Sequence, residues 1–124
     1  MTEPPAILDS SQVLMYAILD ESVKFTGRAV VMVGAQVIDP VPRLAICHNL
    51  YDDGILLFLC DNDWNVLGAG DYGTVENAKA RAESAYAGAS TKWQKFRPLT
   101  AEELSEIDET RKFVRDPSIP EFKG

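Results

Sequence analysis

No apolar run in this sequence approaches the roughly 18 residues that a membrane-spanning helix requires; the longest candidates are Ile55 to Cys60 and Ala29 to Val33. The opening Met1-Thr2-Glu3-Pro4-Pro5 carries an acid and prolines where an export signal would carry bases and a long apolar stretch. The expected location is therefore the cytoplasm, with no membrane partner. Cysteine is scarce: only Cys47 and Cys60 are present, and without an export signal both are expected as free, buried thiols. Bases are scarce in the first 73 residues, where Lys24, Arg28 and Arg43 face ten acids (Glu3, Asp9, Asp20, Glu21, Asp39, Asp52, Asp53, Asp61, Asp63 and Asp71). That portion carries the whole net charge of −7, because the remainder balances nine acids against nine bases. An acidic surface repels phosphate backbones, which argues against a nucleic-acid partner and permits a basic protein partner. Solubility alone is the simpler explanation of the same charge.

What is present fits a single ordinary domain spanning residues 1–124. Its centre is Ile55 to Tyr72, in which two apolar runs flank a polar turn at Asp61-Asn62-Asp63 and an aromatic residue follows at once. Such runs bounded by Asn, Asp and Gly mark a β-hairpin. Residues 1–11 and 116–124 are expected to be loosely held. Strands are expected over Gln12 to Asp20, Arg28 to Ile38, Arg43 to Leu50, Ile55 to Cys60 and Trp64 to Ala69, with a sixth over Thr91 to Phe96. Thr74 suits a helix N-cap, Val75, Ala78, Ala82, Ala85 and Tyr86 recur at helical spacing, and Gly88 sits where a left-handed terminal residue belongs. Thr100-Ala101-Glu102-Glu103 has the form of a capping box, opening a helix to about Val114 with Leu104, Ile107 and Val114 inward. The fold class expected is α+β: a five- or six-stranded, mostly antiparallel sheet, one helix packed across a face, and a C-terminal helix.

Two geometric expectations follow. If Asp53-Gly54 is the centre of a two-residue turn, Cys47 stands directly opposite Cys60. If the five strands form a simple meander, Asp20, Glu21, Asp52, Asp53 and Asp71 gather at one end of the sheet, and Asp39, Asp61 and Asp63 at the other.

The chemical constellations are sparse. Cys47-His48 places a thiol beside a base, but neighbours on a strand point to opposite faces and cannot form a dyad. Asp61-Asn62-Asp63-Trp64-Asn65 opens like a calcium loop, yet the required glycine position holds Val66 and the closing glutamate position holds Tyr72. Gly68-Ala69-Gly70-Asp71-Tyr72-Gly73 has dinucleotide-loop spacing without the parallel strand–helix–strand context, and Asp71 would repel a pyrophosphate. No catalytic residue, metal or cofactor is assigned. The acids at Asp52, Asp53, Asp61, Asp63 and Asp71 are interaction candidates with Trp64 as an aromatic anchor, the expected core alternative being that each aromatic fills the interior. His48 and Tyr72, with Asp71, are candidates for a ligand pocket between the sheet and the first helix.

Asp61 to Asn65 continuing through Val66-Leu67-Gly68, the Thr74 helix with its Ala-Glu pairs, Tyr86-Ala87-Gly88 and Trp93 resemble a loose group of small bacterial proteins. In these an Asp-x-x-Trp-Asn-Val-Leu strand leads into an Ala/Glu-rich helix, a glycine and a closing tryptophan. The resemblance spans about residues 44–95 and carries no catalytic residue. Some small acidic bacterial proteins of similar architecture are immunity proteins that neutralise toxins, so the resemblance implies an immunity-type role. Three readings stand: a non-enzymatic interaction module, such as an inhibitor of a basic toxin; a small-molecule-binding protein or enzyme; and a homodimeric structural protein, the chain being expected as a monomer or a homodimer.

Overall fold

Strands whose successive side chains face opposite sides of one sheet build most of this molecule. The computed structural model describes residues 3–26, 32–33, 36–37 and 41–115. In chain order the strands are β1 (Ile7–Leu8), β2 (Ser11–Ile18), β3 (Lys24–Phe25), β4 (Met32–Val33), β5 (Gln36–Val37), β6 (Arg43–Asn49), β7 (Ile55–Cys60) and β8 (Val66–Asp71). Helix α1 (Val75–Ala85), β9 (Tyr86–Ala87), a 3-10 turn at Ala89–Thr91, β10 (Trp93–Lys95) and helix α2 (Ala101–Arg115) follow. The fold is α+β: a curled antiparallel sheet in the order β1-β2-β6-β7-β8, with β10 also on β2, and two helices. β3 pairs with β9 and β4 with β5, outside the main sheet.

Both faces of the central strands are buried, which is why β6 and β7 read as unbroken apolar runs. One face presents Leu44, Ile46 and Leu57, and α1 lays Ala78, Ala82 and Ala85 against it. Alanine at these positions lets the helix backbone approach the strands closely. The other face carries Ala45, Cys47, Phe58 and Cys60, packed with Val13, Leu8 and Trp64. β2 serves both faces through a bulge between Val13 and Met15. Val13 joins the second core while Met15 packs against the first. A bulge is the device that lets residues two apart point to opposite faces.

The helix-opening signals act as the sequence suggests. The Thr74 hydroxyl accepts from Asn77 N–H at 3.1 Å, but α1 stops at Ala85 with Tyr86 already in β9, so Gly88, left-handed at φ +101, opens the 3-10 turn instead of ending the helix. Thr100 N–H donates to Glu103 Oε1 at 2.8 Å and Glu103 N–H to the Thr100 hydroxyl at 3.2 Å, closing the capping box. In α2 Ile107 is buried, but Leu104 is exposed rather than inward. The Val114 side chain lies outside the described residues.

Several geometric expectations are corrected. The segment read as one strand over 28–38 contains β4 and β5, which pair with each other; the rest of that segment lies outside the described residues. β2 pairs directly with β6, so the simple meander is wrong. The lead-in expected to be loose contributes β1, and its Leu8 is buried. Cys47 faces Leu56, and Cys60 faces Arg43, four ladder positions away. At about 3.3 Å per residue that offset is roughly 13 Å, beyond the reach of a disulfide. Both thiols are free and buried. The register differs because Asn49 Oδ1 accepts from the N–H groups of Tyr51 and Asp52, at 2.7 and 3.2 Å, lengthening the turn. Asn49 N–H then reaches Gly54 O at 2.8 Å.

Candidate functional site

The strand directions sort the acids between two ends of the sheet. Ile18, Arg43 and Cys60 lie in register across β2, β6 and β7, so Asp20 and Glu21 share an end with Asp61 and Asp63. Gln12, His48 and Ile55 mark the opposite end, where Asp52 and Asp53 meet Asp71, itself paired with Leu56. Asp20 and Glu21 therefore leave the group in which the meander had placed them. Asp39 lies outside the described residues.

At the Asp61 end, the carboxylate is turn architecture. Asp61 Oδ1 accepts from the N–H groups of Asp63 at 2.8 Å and Asn65 at 2.9 Å, and Oδ2 accepts from the Asn65 amide at 2.9 Å. The Asn65 amide and these backbone donors hold its carboxyl below the usual carboxylate range. The turn carries Trp64 at φ +64 and swings its ring beneath the sheet. There the side chain is 3% exposed, edge-on to Tyr16 with centroids 5.7 Å apart, under the Arg43 guanidinium at 5.2 Å. Trp64 is thus a core residue and not the surface anchor, because the left-handed backbone reverses the direction that a turn position suggests. Beside this end lies a pocket of about 240 Å³ lined by Leu19, Val23, Phe25, Val41, Pro42 and Tyr86, with Asp20 at its edge. Asp20 is held by Ser22 and by Lys92 Nζ at 2.9 Å, and these partners depress its pKa.

The other end is a set of pinned turns. Asp9 and Ser10, at φ +46 and +60, form the two-residue β1–β2 turn, whose handedness requires positive φ at both positions. Leu50 N–H donates to Ser10 O at 3.1 Å, tying this turn to the β6–β7 turn. Within the latter, Asp52 Oδ1 accepts from Gly54 N–H at 2.9 Å, and Asp53 has φ +61. Asp71 Oδ1 accepts from Gly73 N–H at 3.0 Å. Its Oδ2 lies beside Gly54, 2.6 Å from where a Cβ would stand, so a side chain there would push this exposed carboxylate aside. Tyr51 projects from this turn and is 54% exposed.

His48 completes this end. Arg111 donates to His48 Nδ1 and to Asp53 Oδ1, each at 2.9 Å, and His48 Nε2 lies 3.2 Å from the same Asp53 oxygen. Cys47 points to the opposite face, into the core with Phe58. Burial pushes the Cys60 thiol up to about 12 and the Cys47 thiol higher still, which leaves neither as a nucleophile near neutral pH. Tyr72 packs on the α1-side core with its ring across Gly70, Asp71 serves the turns, and His48 serves α2. The three residues expected to line one pocket are thus committed to different partners, and the pocket at the Asp20 end is lined by other residues. Among the described residues no three His, Cys, Asp or Glu side chains gather as a metal site, and no helix is long and apolar enough to cross a membrane.

Tyr51 and Arg111 are the residues that sequence reasoning missed. An aromatic inside an Asn-to-Gly turn was the available signal for Tyr51; nothing local to Arg111 announces its distant partner. Comparison with protein-family models, with curated proteins and with solved structures finds no match for this chain.

Proposed function

We propose that this chain is a non-enzymatic interaction module that recognises a basic protein surface, in the manner of an immunity-type inhibitor. The observation that carries this reading is Tyr51, exposed on a hydrogen-bonded turn and followed directly by the exposed Asp52 and Asp53. Asp9 and Asp71, also exposed, belong to the same end. A pinned aromatic among acids suits a cationic partner in two ways. The acids steer the encounter and reject acidic competitors, while the ring supplies contact area at low entropy cost. Asp61 and Asp63, at the far end, are spectators in this arrangement.

The test is recovery of the native protein from its own cells in roughly 150 mM salt, where weak surface attraction is largely screened, with mass spectrometry of what remains bound. The expected result is one basic protein in fixed stoichiometry, lost from the Tyr51→Ala and Asp52→Lys variants and retained by Asp63→Lys. Recovery alone, or loss in Asp63→Lys only, sinks the reading. A second reading, binding of a small apolar molecule, is favoured by the pocket beneath Leu19, Phe25 and Tyr86; its mark would be a small molecule in place of the protein.

A further inference from the structure

The pocket lined by Leu19, Phe25 and Tyr86 has walls that are tied to one another without help from an occupant. Thr26 N–H donates to Ala85 O at 2.9 Å and the Thr26 hydroxyl to Ser84 O at 2.7 Å, which fastens β3 to the end of α1. The turn before β3 comes so near Gly88 that a Cβ there would stand 3.3 Å from Ser22 O. The Phe25 and Tyr86 rings, with centroids 5.3 Å apart, make one aromatic wall. A cavity held in this way is largely formed in advance, as small-molecule sites are.

Its volume sets the size of an occupant. An apolar cavity of roughly 150 Å³ holds benzene. At about 240 Å³, this one suits roughly nine or ten non-hydrogen atoms in the same proportion.

The lining sets the polarity. Leu19 N–H is spent on Pro42 O at 2.9 Å, Val23 N–H on Asp20 O at 3.0 Å, Val41 N–H on the Tyr86 hydroxyl at 3.3 Å and Tyr86 N–H on Ala82 O. Pro42 has no N–H to give. An acid, which needs donors, finds these committed. The rim offers an acceptor instead. Asp20 Oδ1 takes the N–H and the hydroxyl of Ser22, and Oδ2 takes Lys92 Nζ at 2.9 Å. These are three donors for the roughly four lone-pair sites of a carboxylate, which leaves room for one more. Lys92 opposes a second cation beside the same carboxylate, so a neutral donor suits the rim better than an ammonium group.

We infer that this pocket takes a neutral apolar molecule of about nine or ten non-hydrogen atoms carrying one N–H or O–H that donates to Asp20. The inference rests on the small-molecule reading of the pocket, and it is independent of Tyr51 at the opposite end of the sheet.

The test is titration of the full chain with two probes of one shape and size, indole, which has an N–H, and benzofuran, which has a ring oxygen in its place. NMR of the Leu19, Val23 and Val41 methyl groups reports binding at this pocket. Benzofuran is the less polar probe, so transfer out of water alone favours it, and tighter binding of indole reports the donor. In the native chain indole binds roughly threefold or more tighter. In Asp20→Ala it falls to the level of benzofuran, whose own unchanged affinity shows the pocket intact. Benzofuran binding as tightly as indole in the native chain, a comparison that needs no variant, overturns the inference and leaves the small-molecule reading standing. So does a preference for indole that survives Asp20→Ala. Methyl groups unmoved by either probe up to about 1 mM overturn both.

Discussion

Trp64 shows how one backbone angle decides what a side chain is for. A non-glycine residue at φ +64 costs about 1 kcal/mol or more relative to ordinary backbone, and the surrounding structure offsets that cost by burying the indole among Tyr16, Cys60 and Val66. Replacing Trp64 with Ala is expected to destabilise the fold by about 3–5 kcal/mol, the range for deleting a buried large aromatic. Urea unfolding checks this; a loss under about 1 kcal/mol would restore a surface role. The identity of Trp64 as an important aromatic was legible in the sequence, but its direction was not, because direction depends on a left-handed angle that Asp61 imposes from three residues upstream. His48 is the converse case. Alternation along β6 correctly separated it from Cys47, while its partner Arg111, 63 residues away, had no local signature.

Elements were legible where their signals are local. The Thr74 cap and the Thr100 capping box act through side chains three residues from the amides they serve, and each formed as the pattern requires. Strand register was not legible, because Asn49 claims two backbone amides and resets the β6–β7 ladder. Neighbour order was equally hidden, since nothing in the composition of Arg28 to Ile38 says which strand it adjoins. The capping box yields a pH prediction at this scale. The Arg97 guanidinium, then the Thr100 N–H, hold the Glu103 carboxyl down to about 2, from an ordinary value of 4.5. A depressed carboxylate stabilises the folded state above its unfolded pKa and loses that contribution as pH falls. Helix signal in α2 is thus expected to decline between about pH 4.5 and 2. Gln at this position retains the capping geometry without titrating, so circular dichroism of Glu103→Gln should be flatter across that interval. An identical decline in both proteins would remove Glu103 as the cause.

For the molecule as a whole, the two cores are opposite faces of the same strands, so they are expected to melt together. Trp64 belongs to one and Trp93 packs against the other, which gives each face its own fluorophore. Single-tryptophan variants, Trp93→Phe and Trp64→Phe, are expected to show fluorescence transitions that coincide with the far-UV transition of the same variant, as two-state unfolding requires. A fluorescence midpoint displaced in either variant would reveal two separable units. The fold class and the burial of both cysteines were legible at this scale from apolar runs and composition. The distribution of charge between the two ends was not, because it depends on strand direction, and hence on β2 lying beside β6.

The outer edge of β2 is closed by two pieces from remote parts of the chain: β1 covers Ser11 and Gln12, and β10 covers Met15 to Ala17. A ribosome emits them in order, so β2, β6 and β7 can assemble as a ladder well before Trp93 leaves the exit tunnel. For that interval the middle of β2 presents unsatisfied amides and carbonyls to any other nascent strand. Completion of the sheet therefore has a deadline set by translation, and slow codons between β8 and β10 would lengthen the time during which this edge is open to pairing with a second chain.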